Sequence, residues 1–319
     1  MSSIVTHYRN MKLNIVIPTY NRADFLIRNL EILEEIIVRG KFTDEISIIV
    51  SENCSPDDTF KLVTAYKGHS QLQIELFRQT ENIGLKANVL FVLGKAKAEY
   101  VMFLGDDDYI SYEYLAACML ILRNDPETSY IVPNYVPVSI EDKIVSDSRE
   151  PVGPVKMMAA GQKAILKYAW KAHQMSGLIF KTQGLFDEYN KYKVDNLYPY
   201  VFFAGMCALR GTTYQVSEFP VRVVQPIKKK DWGYGKDGLI NDLFDNYRKL
   251  PISSGLRFKS EASLMFTQYW RLTMYSVHGQ KAFWKAAWNI AFAKNASIWF
   301  TLFFPFMLVL IKLRRKFEA

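Results

Sequence analysis

The sequence predicts an α/β fold, a mostly parallel sheet with helices on both faces. Three observations carry that reading. Short apolar runs alternate with segments of helical periodicity as far as about Val138. Each apolar run is followed by a polar cluster, and open parallel sheets bind ligands at the carboxyl ends of their strands. Half of the 319 residues are hydrophobic and 14% are aromatic, enough for a large core plus a smaller appendage.

The elements follow in order. Lys12 to Ile17 is a strand ended by Pro18, and Asn21-Arg22-Ala23-Asp24 opens a helix carrying Phe25, Leu26, Leu30 and Leu33. Glu45 to Val50 is a second strand, followed by the turn-rich Glu52-Asn53-Cys54-Ser55-Pro56-Asp57-Asp58. A helix from about Thr59 to Tyr66 leads to a third strand, Ile74 to Phe77. Asn82-Ile83-Gly84 starts another helix, and Tyr100 to Leu104 is the fourth strand. Beyond about Val138 the pattern is less regular, with two strands and two helices expected before Pro251. The polar clusters Thr19-Tyr20-Asn21-Arg22, Glu52-Asn53, Asn82-Ile83-Gly84 and Asp106-Asp107-Asp108 therefore gather on one sheet edge.

The acids just past the fourth strand are the most informative of these. Adjacent carboxylates repel, raising at least one pKa unless a cation offsets the charge. A hard divalent ion, Mg²⁺ or Mn²⁺, takes oxygen ligands and commonly bridges protein to a diphosphate. A solvated turn is the bland alternative. The net charge of +8 favours an anionic partner, either nucleotide phosphates, a lipid diphosphate or an acidic membrane surface. No arginine-rich run or zinc-finger spacing points to nucleic acid, and none is expected as a partner. Cys54, Cys118 and Cys207 are few and scattered, which suits a reducing compartment. Met1 to Met11 lacks the apolar core of a signal peptide, so the catalytic part is expected in the cytosol. With no glycine-rich dinucleotide fingerprint or Walker loop, dehydrogenase and P-loop readings lose their main support.

With these pieces placed, the chain resembles the family 2 glycosyltransferases, which have the GT-A fold. Val16-Ile17-Pro18-Thr19-Tyr20-Asn21-Arg22 is similar to the family's opening strand and nucleotide-contacting turn. Val50 to Thr59 resembles the second motif, with Glu52 where the first acid contacts the nucleobase. Asn82-Ile83-Gly84 and Asn88 match the third segment, and Phe103-Leu104-Gly105-Asp106-Asp107-Asp108 resembles the metal-binding segment. Gly105 stands where its first Asp normally lies. The resemblance implies a nucleotide site of Pro18, Thr19, Tyr20, Arg22, Glu52, Asn82, Gly84 and Asp106. It also implies a Mg²⁺ or Mn²⁺ site of Asp107 and Asp108, the literal Asp-x-Asp from Asp106 to Asp108 leaving the ligand choice open. Gly177 to Lys181 and Phe186-Asp187-Glu188 resemble the acceptor-side segment. Six residues after Glu188 comes Val194-Asp195, making Asp195 the implied catalytic base, with a helix N-cap as the alternative.

Lys228-Lys229-Lys230-Asp231-Trp232-Gly233-Tyr234-Gly235 adds candidate acceptor contacts at Lys229, Trp232 and Tyr234; a solvated loop is the equal alternative. His173 is a minor candidate. Ala296 to Ile311 is almost wholly apolar and is followed by a basic collar, Lys312-Leu313-Arg314-Arg315-Lys316. Sixteen residues, interrupted by Pro305, fall short of the ~20 that span a bilayer. Trp284, Trp288, Phe292 and Trp299 form one stripe beside Lys281 and Lys285, as at a membrane interface. A monotopic anchor is expected, with a spanning helix or a buried packing helix as alternatives.

These observations divide the chain into a GT-A domain, 1–255, and a helical membrane-associating region, 256–319. Within the first, the nucleotide half is about 12–138 and the acceptor half about 139–255. By analogy with the resembled enzymes the donor is a nucleoside-diphosphate sugar, UDP being the expected nucleotide. The acceptor is a polyprenyl-diphosphate-linked saccharide on the cytoplasmic face of the plasma membrane. A nucleotidyltransferase and a non-catalytic sugar- or lipid-binding module are the competing classes.

Overall fold

A computed structural model describes residues 11–225 and 234–318, with side chains as far as Arg314. The chain forms two compact units that interleave in sequence. One comprises Met1–Ala160, Gln174–Glu188 and Arg210–Lys228; the other comprises Gly161–His173, Tyr189–Leu209 and Lys229–Ala319.

The first unit holds an eight-stranded sheet with helices on both sides. In chain order its elements are β1 (Leu13–Thr19), α1 (Ala23–Arg39), β2 (Ile46–Glu52), α2 (Thr59–Lys67), β3 (Gln73–Arg78), α3 (Leu85–Lys95), β4 (Tyr100–Phe103) and α4 (Tyr112–Asn124). β5 (Thr128–Val138), β6 (Lys156–Met158), β7 (Ile179–Lys181) and β8 (Thr212–Val224) complete the sheet. The strand order is β3-β2-β1-β4-β7-β5-β8-β6. Every residue of β1, β2 and β4 is buried, as expected of parallel strands covered on both faces. Leu26, Leu30, Leu33 and Ile37 bury the inner stripe of α1, whose Asp24 and Arg39 complement the helix dipole at its two ends.

The sheet is mixed but mostly parallel, as expected: β3, β2, β1, β4, β5 and β8 all run the same way. β3, β2, β1 and β4 are parallel to one another, and β5 is parallel to β8. The three-residue β7 enters between β4 and β5 antiparallel to both, and β6 is antiparallel to β8. A strand that short has no periodicity to read; its place is set by pairing with residues far away in sequence. β1 also runs on through Pro18, which is buried and pairs with Ser51. Among the described residues between Val138 and Pro251 lie three strands and four α-helices, not two of each. These helices are α5 (Gln162–Tyr168), α6 (Leu185–Lys191), α7 (Pro199–Arg210) and α8 (Ile240–Lys249).

The second unit is helical. It adds α9 (Ser254–Thr267), α10 (Trp270–Thr273), a 3₁₀ turn Met274–His278, α11 (Gln280–Ala291) and α12 (Ile298–Glu318). α12 packs on α9 through the edge-to-face rings of Phe258 and Phe303, 5.5 Å apart, and Phe300 meets Phe244 of α8 at 4.7 Å. Phe300, Phe304, Met307 and Ile311 are buried, whereas Trp299, Leu302, Phe306, Val309 and Leu313 are exposed. The same helix is thus a packing helix on one face and an open apolar stripe, spaced three and four residues apart, on the other. Among the described residues no helix is long and apolar enough to cross a membrane.

Glu261 of α9 secures the start of α12. Its buried carboxylate accepts from the Ser297 N–H at 3.1 Å and from the Ser297 hydroxyl, and pairs with Arg257 Nε at 2.9 Å. Burial raises its pKa, opposed by these partners. Glu261→Ala strands the Ser297 donors and removes the partner of Arg257. It is expected to destabilise the fold by roughly 2–4 kcal/mol. A thermal melt checks this, and an unchanged midpoint would show that the network adds nothing net.

Candidate nucleotide-sugar site

The carboxyl ends of the parallel strands build the site within the first unit. Leaving β1, Thr19 is buried and its hydroxyl donates to Asp106 Oδ2 at 2.7 Å. Tyr20 is exposed, and Asn21 turns the chain with φ of 56°, its N–H donating to Ser55 Oγ at 2.9 Å. That turn delivers Arg22, whose guanidinium lies 3.8 Å from Asp107 Oδ2 and 5.3 Å from the Phe25 ring centre.

At the end of β2, Glu52 is fully buried. Its Oε1 accepts the Ser55 N–H at 2.5 Å, tying down a turn in which Cys54 has φ of 58°. Its Oε2 lies 3.3 Å from Arg78 Nε at the end of β3, but no hydrogen bond is aligned on it. A buried carboxylate oxygen without a donor is costly unless something supplies one. Next to it, Asn53 and Asn82 interlock: Asn53 Nδ2 donates to Asn82 Oδ1 at 2.9 Å, and the Ile83 N–H donates to Asn53 Oδ1 at 3.0 Å. Gly84 donates to the same Asn82 oxygen at 2.9 Å and has φ of 81°, a value that suits glycine just ahead of α3.

Past β4, the three acids have three different environments. Asp106 is half-buried and accepts from Thr19. Asp107 is half-buried and faces Arg22. Asp108 turns inward: its Oδ1 accepts the Val224 N–H at 3.0 Å, and its Oδ2 accepts the Ser176 hydroxyl at 2.5 Å and Gln174 Nε2 at 3.4 Å. Burial, then the charge of Asp107, pushes its pKa up to about 7, with Asp106 adding to the rise. Gly105 makes this fold-back possible, since a Cβ there would sit 3.0 Å from Asp108 Oδ2 and 3.1 Å from Ser176 Oγ. The buried Asn29 amide of α1 clamps the loop by donating to the Gly105 and Asp108 carbonyls at 2.9 and 3.0 Å.

In this structure the oxygens of Asp108, expected as a metal ligand, serve as a buried bracket. Among the described residues there is no cluster of three or more His, Cys, Asp or Glu side chains set to hold an ion. Mg²⁺ and Mn²⁺ sites that share substrate phosphates need only one or two carboxylates, the remainder being phosphate and water. Asp107, with Asp106 beside it, fits that donor set. Of the other expected contacts, Pro18 is buried in β1 and sets the course of Thr19 without presenting a surface.

Asp195 belongs to the second unit. It is exposed on the segment between α6 and α7, which starts at Pro199, so it is not a helix cap. The segment is pinned from α8: Asn196 Nδ2 donates to Asp245 Oδ2 at 3.2 Å and to Asn246 Oδ1 at 3.1 Å. Tyr198 is held by Arg271, a guanidinium that sequence reasoning missed. Arg271 is 2% exposed and donates to Tyr198 OH at 3.2 Å and to the Gly238 carbonyl at 2.9 Å. It also lies 4.7, 5.3 and 5.8 Å from the rings of Trp270, Tyr198 and Tyr234. Tyr234 is thereby packed against Arg271 and Trp270, while Lys229 and Trp232 lie outside the described residues. His173 is engaged with Trp170, its Nδ1 2.9 Å from the Trp170 carbonyl.

Residues 14–190 match the glycosyl transferase family 2 model, more than half of the chain. The chain belongs to that family. The abequosyltransferase RfbV of Salmonella typhimurium is 31% identical over 117 residues, 37% of this chain and 34% of the relative. The poly(ribitol-phosphate) β-N-acetylglucosaminyltransferase TarS of Staphylococcus aureus is 30% identical over 106 residues, 33% of this chain and 18% of the relative. These matches span about a third or less of either relative. In fold, the TarS 1–349 structure in complex with UDP-GlcNAc aligns with a TM-score of 0.65 at 15% identity, covering 89% of this chain and 81% of that one. A mannosyltransferase from Pyrobaculum calidifontis, solved with GDP-Man and Mn²⁺, gives 0.53 at 15% identity, covering 97% and 88%. At such identities the likeness is one of fold: a GT-A-like mixed sheet.

Glu52 can be tested directly. If Oε2 takes an N–H from a nucleobase, Glu52→Ala is expected to weaken nucleoside-diphosphate binding by about 1–3 kcal/mol. Glu52→Gln, which keeps an oxygen for the Ser55 N–H, separates base recognition from the turn. Calorimetric titration with UDP decides: parental affinity in both variants sinks the assignment.

Proposed function

We propose that this chain is an inverting glycosyltransferase that moves a sugar from a nucleoside-diphosphate sugar, UDP-linked by preference, to a lipid-linked saccharide. The setting is assembly of a bacterial surface polysaccharide. The single observation that supports it most is the buried Glu52, whose Oε2 has the Arg78 ion pair but no aligned hydrogen bond, at the same sheet edge as Thr19, Asp106 and Asp107. One group there is matched to a ring N–H and the others to a diphosphate and its counter-ion. The donors named for the TarS and mannosyltransferase structures support a nucleotide sugar, and the latter's Mn²⁺ supports a divalent ion.

In this reading Asp107, with Asp106 beside it, would hold Mg²⁺ or Mn²⁺. The ion's contribution is to offset the charge developing on the leaving group. Arg22, 3.8 Å from Asp107, adds a fixed positive charge at the same edge. Asp195 takes the proton of the acceptor hydroxyl as its oxygen bonds to the anomeric carbon and the bond to diphosphate breaks on the opposite face. Arg271 positions both Tyr198, three residues after Asp195, and Tyr234.

The lipid-linked acceptor and a place on the cytoplasmic membrane face rest on the C-terminal helices, residues 256–319 being their region. Trp299, Leu302, Phe306, Val309 and Leu313 are exposed on α12, as are Trp284 and Trp288 on α11 and Phe292 at its end. Exposed Lys281, Lys285 and Lys312 lie on the same two helices. An apolar stripe with lysines on its flanks is matched to an anionic bilayer surface. The deciding assay incubates the protein with labelled nucleotide sugars and bacterial membranes. Transfer puts label into the lipid fraction with release of nucleoside diphosphate. Release of inorganic diphosphate instead would mark a nucleotidyltransferase, and no turnover with any donor would leave a binding module.

A further inference from the structure

A groove of about 760 Å³ lies in the second unit between the segment 273–284 and α12. One wall runs along α12 from Pro305 through Leu308 to Lys312, about two helical turns. The facing wall includes Ser276, Phe283 and Trp284. Its lining is mostly apolar, with Lys312 the cation among the described residues, and the size is that of a small-molecule site. Trp284 and Val309 belong both to this groove and to the exposed stripe, so the groove opens onto the apolar surface.

We propose that this groove binds the prenyl chain of a lipid diphosphate, with Lys312 taking the anionic head at the carboxyl end of the α12 wall. The inference rests on the lipid-linked acceptor proposed above and adds the site that holds it. The argument is one of complementarity. A recessed apolar slot accepts a single hydrocarbon chain, whereas a bilayer surface is met by the convex stripe beside it. A cation at one end of an apolar wall matches an amphiphile charged at one end. A second copy of this chain would need an apolar segment narrow enough to enter the slot, and Lys312 would then oppose the basic collar of the incoming helix.

The test titrates the full chain with farnesyl diphosphate, a soluble prenyl diphosphate, and follows tryptophan emission. Covering Trp284 is expected to give a saturable blue shift that Trp284→Phe abolishes. Leu308→Trp, which fills the slot, and Lys312→Glu, an exposed change, should each raise the apparent Kd by about tenfold or more. Should Leu308→Trp fail to fold, Lys312→Glu decides alone. An equal response to inorganic diphosphate would reduce the site to its cation and overturn the chain assignment. No response to farnesyl diphosphate, alongside a Trp284-dependent response to phosphatidylglycerol vesicles, would make the groove part of a membrane surface and overturn it too. Transfer from nucleotide sugar to a water-soluble acceptor is measured in parallel. Transfer without farnesyl diphosphate binding rejects the groove alone; binding without transfer rejects the glycosyltransferase reading alone.

Discussion

Asp107→Asn is expected to lower turnover by about 10²–10³-fold, the equivalent of several kcal/mol of transition-state stabilisation, while the protein stays folded. The asymmetry among the three acids motivates this. Asp108 is bound into the sheet by Ser176 and Val224, and Asp106 accepts from Thr19. Asp107 faces the half-exposed Arg22 at 3.8 Å, a loose pairing that a divalent ion can displace. Removing one charge from a direct ligand should raise the Mn²⁺ concentration required for half-maximal rate and weaken diphosphate binding. Asp108→Ala should behave differently. It removes a buried bracket and leaves the Val224 N–H and Ser176 hydroxyl without their acceptor, so the melting midpoint should fall along with activity. Titrating Mn²⁺ and Mg²⁺ against initial rate, with a melt of each variant, distinguishes the two effects. Wild-type rates in Asp107→Asn, or full activity of the parent protein in excess chelator, would sink the metal assignment.

The difference between Asp107 and Asp108 also marks how far sequence could reach. β1 to β4 and the helices between them were legible because each is local: a continuous apolar run for a strand buried on both faces, and a repeating stripe for a helix packed on it. The clusters after those strands were legible for the same reason, since a parallel sheet puts all its carboxyl ends on one edge. What was hidden is what distant segments decide. Asp108 turns inward because Ser176 and Val224, 68 and 116 residues further on, wait for its oxygens, and because Gly105 leaves room. β5 contains Pro133 and Pro137, which argue against a central strand. A register shift against β8 follows Pro133, whereas Pro137 pairs in register with Val223. Arg78, by contrast, lies one residue beyond the third strand as the sequence predicts it, and its position beside Glu52 follows from parallel pairing with β2. Arg271 could not be placed that way, because its partners come from segments around Tyr198, Tyr234 and Gly238. The apolar segment near the end of the chain allowed an anchor or a packing helix. α12 packs one face on α9 and leaves the other open, a division that only the partner helices determine.

Asp195→Asn should retain donor binding and lose transfer by about 10²–10⁴-fold, the usual contribution of a positioned general base. An acceptor hydroxyl is a poor nucleophile until its proton is taken, and Asp195, with six residues between it and Glu188, is the proposed base. The surroundings are consistent with a carboxylate held ready. The side chain is exposed, whereas the backbone around it is fixed by Asn196 to Asp245 and Asn246 and by the Leu197 N–H to Asp242 at 3.4 Å. It has two rivals. Glu188 is paired with Arg210, and Asp187 lies in the first turn of α6. The kinetic signature separates a base from a structural acid. Loss of a base lowers kcat with little change in donor KM, and it removes the acidic limb of the pH–rate profile. Loss of a loop support would raise KM and lower the melting point as well. A well-folded Asp195→Asn enzyme with unchanged kcat and an unchanged pH profile would exclude Asp195 and turn attention to Asp187 and Glu188.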